Sequence, residues 1–231
     1  VKVIFLNTAN NEIDPIGIRK FLQALAPTTD IFCLQECHYN IQKVIFKYLQ
    51  EFKSYTVFKY IDKNSSFSNA ILVKKPIKTL DITSLMDNSF LNIGLAINLT
   101  LNYKNKNFNI INVHGVAFPG TKLDTDERLQ QSKTILKHCS KLTDPIIIGG
   151  DFNLLPQTES IRMFEQKGFI NLVNEYKIQT TRNKKSWKIH PGKKQLYADY
   201  TFTDSKIKVK HFKVPYIEIS DHLPMILDFE L

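Results

Sequence analysis

Seven side chains able to hold a cation, move a proton or orient a water stand where apolar runs stop. Val3-Ile4-Phe5-Leu6 stops at Asn7, and Ile31-Phe32-Cys33-Leu34-Gln35 stops at Glu36. Asn109-Ile110-Ile111-Asn112-Val113 stops at His114, and Pro145-Ile146-Ile147-Ile148-Gly149-Gly150 stops at Asp151-Phe152-Asn153. The last apolar run is entered through Ser220-Asp221-His222. One acid at a strand end is usually a solvated terminus. Five termini carrying carboxylate, amide or imidazole groups can instead converge in one crevice held by a rigid sheet. Glu36, with Asn7, offers hard oxygen donors that suit Mg²⁺ or Mn²⁺ better than zinc. Asp151 and Asn153 are two apart, so on an extended segment both side chains face one way.

The elements that must position these groups follow from periodicity. Val3–Leu6, Asp30–Gln35, Tyr55–Tyr60, Asn69–Val73, Leu95–Leu101, Phe108–His114 and Ile146–Gly150 read as strands. Tyr197–Thr203, Ile207–Val214 and Met225–Leu231 complete the set. Pro15 opens a helix whose apolar face is Ile18, Phe21, Leu22 and Leu25. Ile41–Phe52 and Leu123–Cys139 are the other expected helices, and Asn102–Asn107 is a polar hairpin connection. Early β-α-β units followed by hairpin-like strands indicate an α/β protein with two packed mixed sheets and helices outside. No linker, repeat or low-complexity tract divides residues 1–231, so one domain is expected.

Composition narrows the partners. The chain has 231 residues, 43% hydrophobic and 23% charged, with no apolar run of the roughly 18 residues a membrane span needs. Its first residues form too short an apolar stretch for a secretory signal, so the expectation is either a cytoplasmic protein or one whose leader was removed before residue 1. Cys33, Cys37 and Cys139 are too few for a disulfide framework, and the Cys33/Cys37/His38 cluster lacks the second ligand pair a zinc site needs. The net charge of +9 suits a polyanion such as nucleic acid or an anionic lipid surface. Lys184, Lys185, Lys188, Lys193 and Lys194 crowd a segment that also carries the single tryptophan, Trp187. This segment reads as a loop that could contact substrate, with Trp187 stacking a base or packing as a lid. Lys206, Lys208, Lys210 and Lys213 alternate along a strand and read as its solvated face.

The motifs Leu34-Gln35-Glu36, Asn112-Val113-His114, Gly150-Asp151-Phe152-Asn153, Asp199-Tyr200 and Ser220-Asp221-His222 resemble, in order and spacing, those of the endonuclease/exonuclease/phosphatase superfamily. Ser68-Asn69-Ala70-Ile71-Leu72 resembles that family's small-residue strand, so nearly the whole chain is covered. The resemblance implies a deoxyribonuclease-I-like four-layer sandwich: two mixed β-sheets flanked by helices. It implies a divalent metal near Asn7, Glu36 and Asp221, and water and phosphate oriented by Asp151 and Asn153. It pairs Asp199 with the His222 ring, and it has His114 hydrogen-bond a phosphate oxygen or protonate the leaving group.

Departures from the family pattern bear on substrate. Abasic-site endonucleases carry Tyr where His114 stands; the histidine resembles deoxyribonuclease, deadenylase and sphingomyelinase relatives. Inositol polyphosphate 5-phosphatases have Cys-Asp-Arg where this chain has Ala198-Asp199-Tyr200. Phe90–Gly94 has no arginine where many relatives place a phosphate-binding one, and lysines of the 184–194 segment are available to replace it. The expectation is a monomeric Mg²⁺- or Mn²⁺-dependent phosphodiesterase acting on nucleic acid, with no stable protein partner. The alternatives are a phospholipid or small-molecule phosphodiesterase of sphingomyelinase type, and an inactive family member that only binds.

Overall fold

The structure is a computed structural model that describes residues 1–9, 14–37, 47–60, 66–86, 94–189 and 194–231. Apolar runs with no polar alternation must be covered on both faces, and β1 (Lys2–Asn7) shows how. Its Val3 and Phe5 point into the core between two sheets, while Ile4 and Leu6 point outward onto α1 (Pro15–Leu25). Ile18 and Leu22 of α1 meet them there. The helix starts where it does because Pro15 tolerates the first turn and the Asp14 carboxylate accepts the Gly17 N–H at 2.7 Å.

The first sheet has the order β11-β12-β1-β2-β4-β3, with β2 at Ile31–Gln35, β3 at Phe52–Tyr60, β4 at Ser66–Lys74, β11 at Lys208–Lys213 and β12 at Met225–Glu230. The second has the order β5-β6-β7-β8-β10-β9, with β5 at Lys78–Ser84, β6 at Leu95–Tyr103, β7 at Lys106–His114, β8 at Ile146–Asp151, β9 at Ile170–Asn171 and β10 at Asp199–Thr203. Each sheet has one parallel pair at its centre, β1/β2 and β7/β8, and antiparallel pairs elsewhere. The sheets face each other across Phe5, Cys33, Ile71, Ile97, Ile110 and Ile147, while Ile111, Ile148 and Phe202 face the helices outside the second sheet. Gly149 allows the close approach, because a Cβ there would lie 2.6 Å from the Phe5 ring. On the outside of the second sheet pack α2 (Asp126–Cys139) and α3 (Glu159–Gln166). This is the expected helix–sheet–sheet–helix sandwich.

Several expectations are corrected in detail. The strand expected at Tyr55 starts at Phe52, so Phe52 is not the end of a helix; residues 41–46 of the expected helix lie outside the described residues. α2 starts at Asp126 rather than Leu123, because Thr125 caps it and the Leu123 carbonyl is taken by the Arg128 guanidinium at 2.5 Å. The 102–107 connection tightens to a two-residue turn at Lys104-Asn105, both in the left-handed region that matches strand twist. Edge strand β5, with Leu80 and Ile82 exposed, and the short α3 and α4 (Leu172–Glu175) were not expected from periodicity. The lysine-rich segment is not a plain loop: Lys184–Ile189 forms a short helix, α5. Among the described residues no helix is long and apolar enough to cross a membrane.

Candidate active site

Register brings the strand-end residues together. The parallel pairing of β7 and β8 sets His114 opposite Asp151, and antiparallel β10 sets Asp199 opposite Asp151. Three site residues therefore stand in one row across the second sheet. In the first sheet Asn7 ends β1 opposite Gln35, which leaves Glu36 as the first residue beyond β2. β12 runs antiparallel to β1 with Phe5 opposite Met225, so Ser220-Asp221-His222 arrives at the same end. Glu36 and Asn153 take positive φ values of 50° and 54°, uncommon for residues with side chains and typical of places where a chain end is re-aimed. Gly150, at φ 130°, precedes Asp151 where a Cβ would lie 2.1 Å from the Val113 carbonyl oxygen.

The contacts form one connected system. Asn7 Nδ2 donates to Glu36 Oε1 at 3.1 Å and to Asp151 Oδ2 at 2.9 Å, while its Oδ1 accepts the Ala9 N–H at 2.8 Å. The Ala9 bond fixes which way the amide faces. Asn7 thus sits between the two carboxylates with its amide nitrogen toward both. His114 Nε2 lies 3.4 Å from Glu36 Oε1. His222 Nδ1 is 2.9 Å from both oxygens of Asp199, and its Nε2 is 3.6 Å from Asp151 Oδ2. Asp151 Oδ1 accepts the Asn153 N–H at 2.8 Å, and Asn153 Nδ2 donates to the Gly115 carbonyl at 3.2 Å.

Burial makes these charges strongly interdependent. Burial pushes the Asp151 carboxyl up, but His222, Lys122, His114 and Arg182 outweigh it and hold its pKa at about 2. Asp199 is raised, first by burial and then by the Asp151 charge, with His222 pulling the other way. Burial opposes a charged His222, yet Asp199, helped by Asp221 and Asp151, raises it to about 9 against the influence of Arg182. The metal-free site therefore holds an ionised Asp151 beside an imidazolium. Two groupings have donor atoms mutually within 4.8 Å: Glu36, His114 and Asp151, and Asp151, Asp199 and His222. The first fits a hard divalent cation, since two carboxylates already converge on the Asn7 N–H. Asp221 is in neither grouping but adjoins the second: its Oδ2 is 2.6 Å from Arg182 NH2 and 3.8 Å from His222 Nε2.

Two cations in the site escaped sequence reasoning. Arg182 sits next to His222 through a bridge between their backbones, and Lys122 hydrogen-bonds Asn153 Oδ1 through its Nζ. Burial, with Arg182 and Arg128, lowers the Lys122 pKa against the pull of Asp151 and Asp199. A usable signal existed for Arg182, because only four of the 31 basic residues are arginine and lysine supplies the solvated charge. Lys122 carried no comparable signal. The segment 180–183 is tied to both halves of the site: Thr181 Oγ1 accepts the Asp199 N–H at 3.2 Å, and the Asn183 N–H reaches the Asp221 carbonyl at 3.3 Å. α5 is thereby attached beside Asp199. Lys184 is paired with Glu218 at 3.1 Å, Lys188 is exposed, and Lys185 is half-buried with its N–H on Asn183 Oδ1. Lys194 lies 5.1 Å from the Trp187 ring centre, and Trp187 Nε1 donates to the Gln195 carbonyl at 3.4 Å, so one face of the ring is already used. Lys193 lies outside the described residues.

A two-sheet α/β sandwich whose aligned strand ends gather carboxylates, amides and an acid-paired histidine belongs to the class of metal-dependent phosphoester hydrolases. The chain is a member of the endonuclease/exonuclease/phosphatase family, whose model matches residues 4–222. No curated protein matches the sequence. Solved structures do. An endonuclease/exonuclease/phosphatase from Bacteroides vulgatus superposes with a TM-score of 0.81 at 16% identity, covering 100% of this chain and 98% of that one. The D. rerio TDP2 structure complexed with single-strand DNA product gives 0.75 at 15% identity, covering 100% and 99%. The Bacteroides thetaiotaomicron mannosyl-6-phosphatase Bt3783 gives 0.75 at 16% identity, covering 100% of both chains. At such identities these likenesses concern the fold.

Proposed function

We propose that the chain is a Mg²⁺- or Mn²⁺-dependent phosphodiesterase whose substrate is nucleic acid. The observation that carries the hydrolytic reading is the buried Asp199–His222 pair with His222 Nε2 turned toward Asp151. Glu36, with Asp151 and His114, would hold the divalent metal; bound there, it neutralises phosphate charge and polarises the phosphorus. Asn7 keeps the Glu36 and Asp151 carboxylates at a fixed separation. Asp151, with so low a proton affinity, orients the attacking water rather than removing its proton. Asp199 fixes the His222 ring, leaving Nε2–H to stabilise charge that develops on a phosphate oxygen. His114 faces the same space from the end of β7 and offers a hydrogen bond to another phosphate oxygen. Asp221 and Arg182 form the wall beside His222.

The nucleic-acid assignment rests on the net charge of +9 and on α5, whose lysines stand on the segment tied to Asp199. TDP2 with its DNA product supports it by analogy of fold. A phospholipid reading is favoured by one feature: Phe118 and Leu123, 77% and 47% exposed, lie on the loop that follows His114. The test is a hydrolysis screen with Mg²⁺ and Mn²⁺ across DNA, RNA, bis(p-nitrophenyl) phosphate and sphingomyelin vesicles. Nucleic-acid cleavage should weaken with salt, and neutralising Lys184, Lys185, Lys188, Lys193 and Lys194 should flatten that dependence by roughly 0.7–0.9 per lost contact. Faster turnover of vesicles than of nucleic acid would overturn the substrate assignment. Metal binding without hydrolysis of any phosphoester would leave the binding-module reading.

A further inference from the structure

Lys122 is 6% exposed, yet among the described residues its ammonium makes one hydrogen bond, to the neutral amide oxygen of Asn153. No carboxylate of the described residues lies within ion-pair distance of it. A buried ammonium with one of its three N–H groups satisfied is costly, and folds keep such a group where an anion will complete it.

The chain around it is built to hold it there. Lys122 has φ 55°, in the left-handed region. Its carbonyl accepts the Leu155 N–H at 2.9 Å, which joins the loop to the stretch just past Asn153. The loop before it is organised from below by Arg128, which is fully buried on α2. Arg128 Nε donates to the Val116 carbonyl at 3.2 Å, NH2 to those of Ala117 and Pro119 at 3.3 and 2.6 Å, and NH1 to that of Leu123 at 2.5 Å. Gln195 Nε2 donates to the Gly120 carbonyl at 2.6 Å from the other side of the site. One arginine spent on four carbonyls fixes a loop with no regular structure, and the side chain that loop sends inward is Lys122.

We propose that Lys122 is a substrate ligand: its ammonium binds a non-bridging oxygen of the scissile phosphate, opposite His222 across Asp151. The assignment rests on the phosphoesterase reading above. It also explains the Asn153 amide: Oδ1 accepts from Lys122 and Nδ2 donates to Gly115, so Asn153 holds the ammonium in register with the Asp151 row.

The test separates the two readings. Inorganic phosphate is titrated calorimetrically into the Mg²⁺-loaded wild type, K122M and K122A, and bis(p-nitrophenyl) phosphate hydrolysis is measured on the same samples with and without ethylammonium. Losing a hydrogen bond from a charged group should weaken phosphate binding about 10- to 100-fold in both variants. Ethylammonium should restore part of the K122A rate and leave the wild-type and K122M rates unchanged. K122M retains the aliphatic stem, so it reports even where K122A unfolds. Unchanged phosphate affinity in K122M, or a K122A defect indifferent to the amine, overturns the assignment and leaves Lys122 a prop for Asn153. A wild type that binds phosphate through Lys122 but hydrolyses no phosphoester would overturn the proposed function and not this site.

Discussion

Replacing Asp199 by Asn tests the electrostatic heart of the site with one change of atom. Asp199 places both carboxylate oxygens 2.9 Å from His222 Nδ1, and it is the largest influence that raises the imidazole to about 9. Asparagine keeps the shape and can still accept a hydrogen bond, but the negative charge is gone. Burial and Arg182, both of which lower His222, then prevail, so its pKa should fall to or below the ordinary value of 6.5. That is a change of at least about 2.5 units, or about 3 kcal/mol in favour of the neutral ring. At pH 8 the imidazolium would become a minor species. If its charge stabilises the transition state, turnover of bis(p-nitrophenyl) phosphate should drop by roughly two orders of magnitude with a much smaller change in KM. Proton NMR of the His222 ring in metal-free protein reads the titration directly, with His222→Gln assigning the signal. A D199N midpoint within one unit of the wild type would refute the claim that Asp199 sets the charge of His222.

Three further outcomes follow from the same geometry. Glu36→Gln should raise the Mg²⁺ concentration needed for half-maximal activity by at least about 10-fold while the melting temperature stays near that of the parent, and unchanged metal dependence would remove Glu36 from the metal site. Arg182→Met should cost about 3–5 kcal/mol, because Asp221 is left buried without its partner; the double variant with Asp221→Asn should recover most of this in chemical denaturation, and equal losses would show the pair is not coupled. In metal-free protein His222, raised to about 9, contributes stability that is complete below about 6.5 and lost as pH rises through about 9. Asp151, held at about 2, contributes stability complete above about 3.8 and lost as pH falls through about 2, with the raised Asp199 acting against it. Melting temperature against pH should therefore decline on the alkaline side, and His222→Gln should flatten that decline.

Much of this architecture was legible in the chain. Unbroken apolar runs such as Ile31–Leu34 and Ile146–Ile148 require cover on both faces, and that requirement alone implies stacked sheets under helices. The site was legible for a related reason: strands end where apolar residues stop, so the polar residues that end them mark one edge of the sheets. Edge strand β5 was not legible, because its apolar residues face solvent, and α3 and α4 are too short to display a period.

What the local sequence determined was which residues are buried, which strands they form and which polar groups stand at the strand ends, since these depend on side-chain type and a period of two or 3.6. What only the tertiary structure decided was partnership. Asp199 meets His222 across 23 positions, Asn7 meets Asp151 across 144, and Arg182 meets Asp221 across 39. Such pairings depend on strand register and on the separation of the two sheets, which no local pattern encodes. Lys122 is the extreme case: nothing in its neighbours in sequence sets it apart, and it enters the site because Arg128 and Asn153 hold its loop and its ammonium from opposite sides.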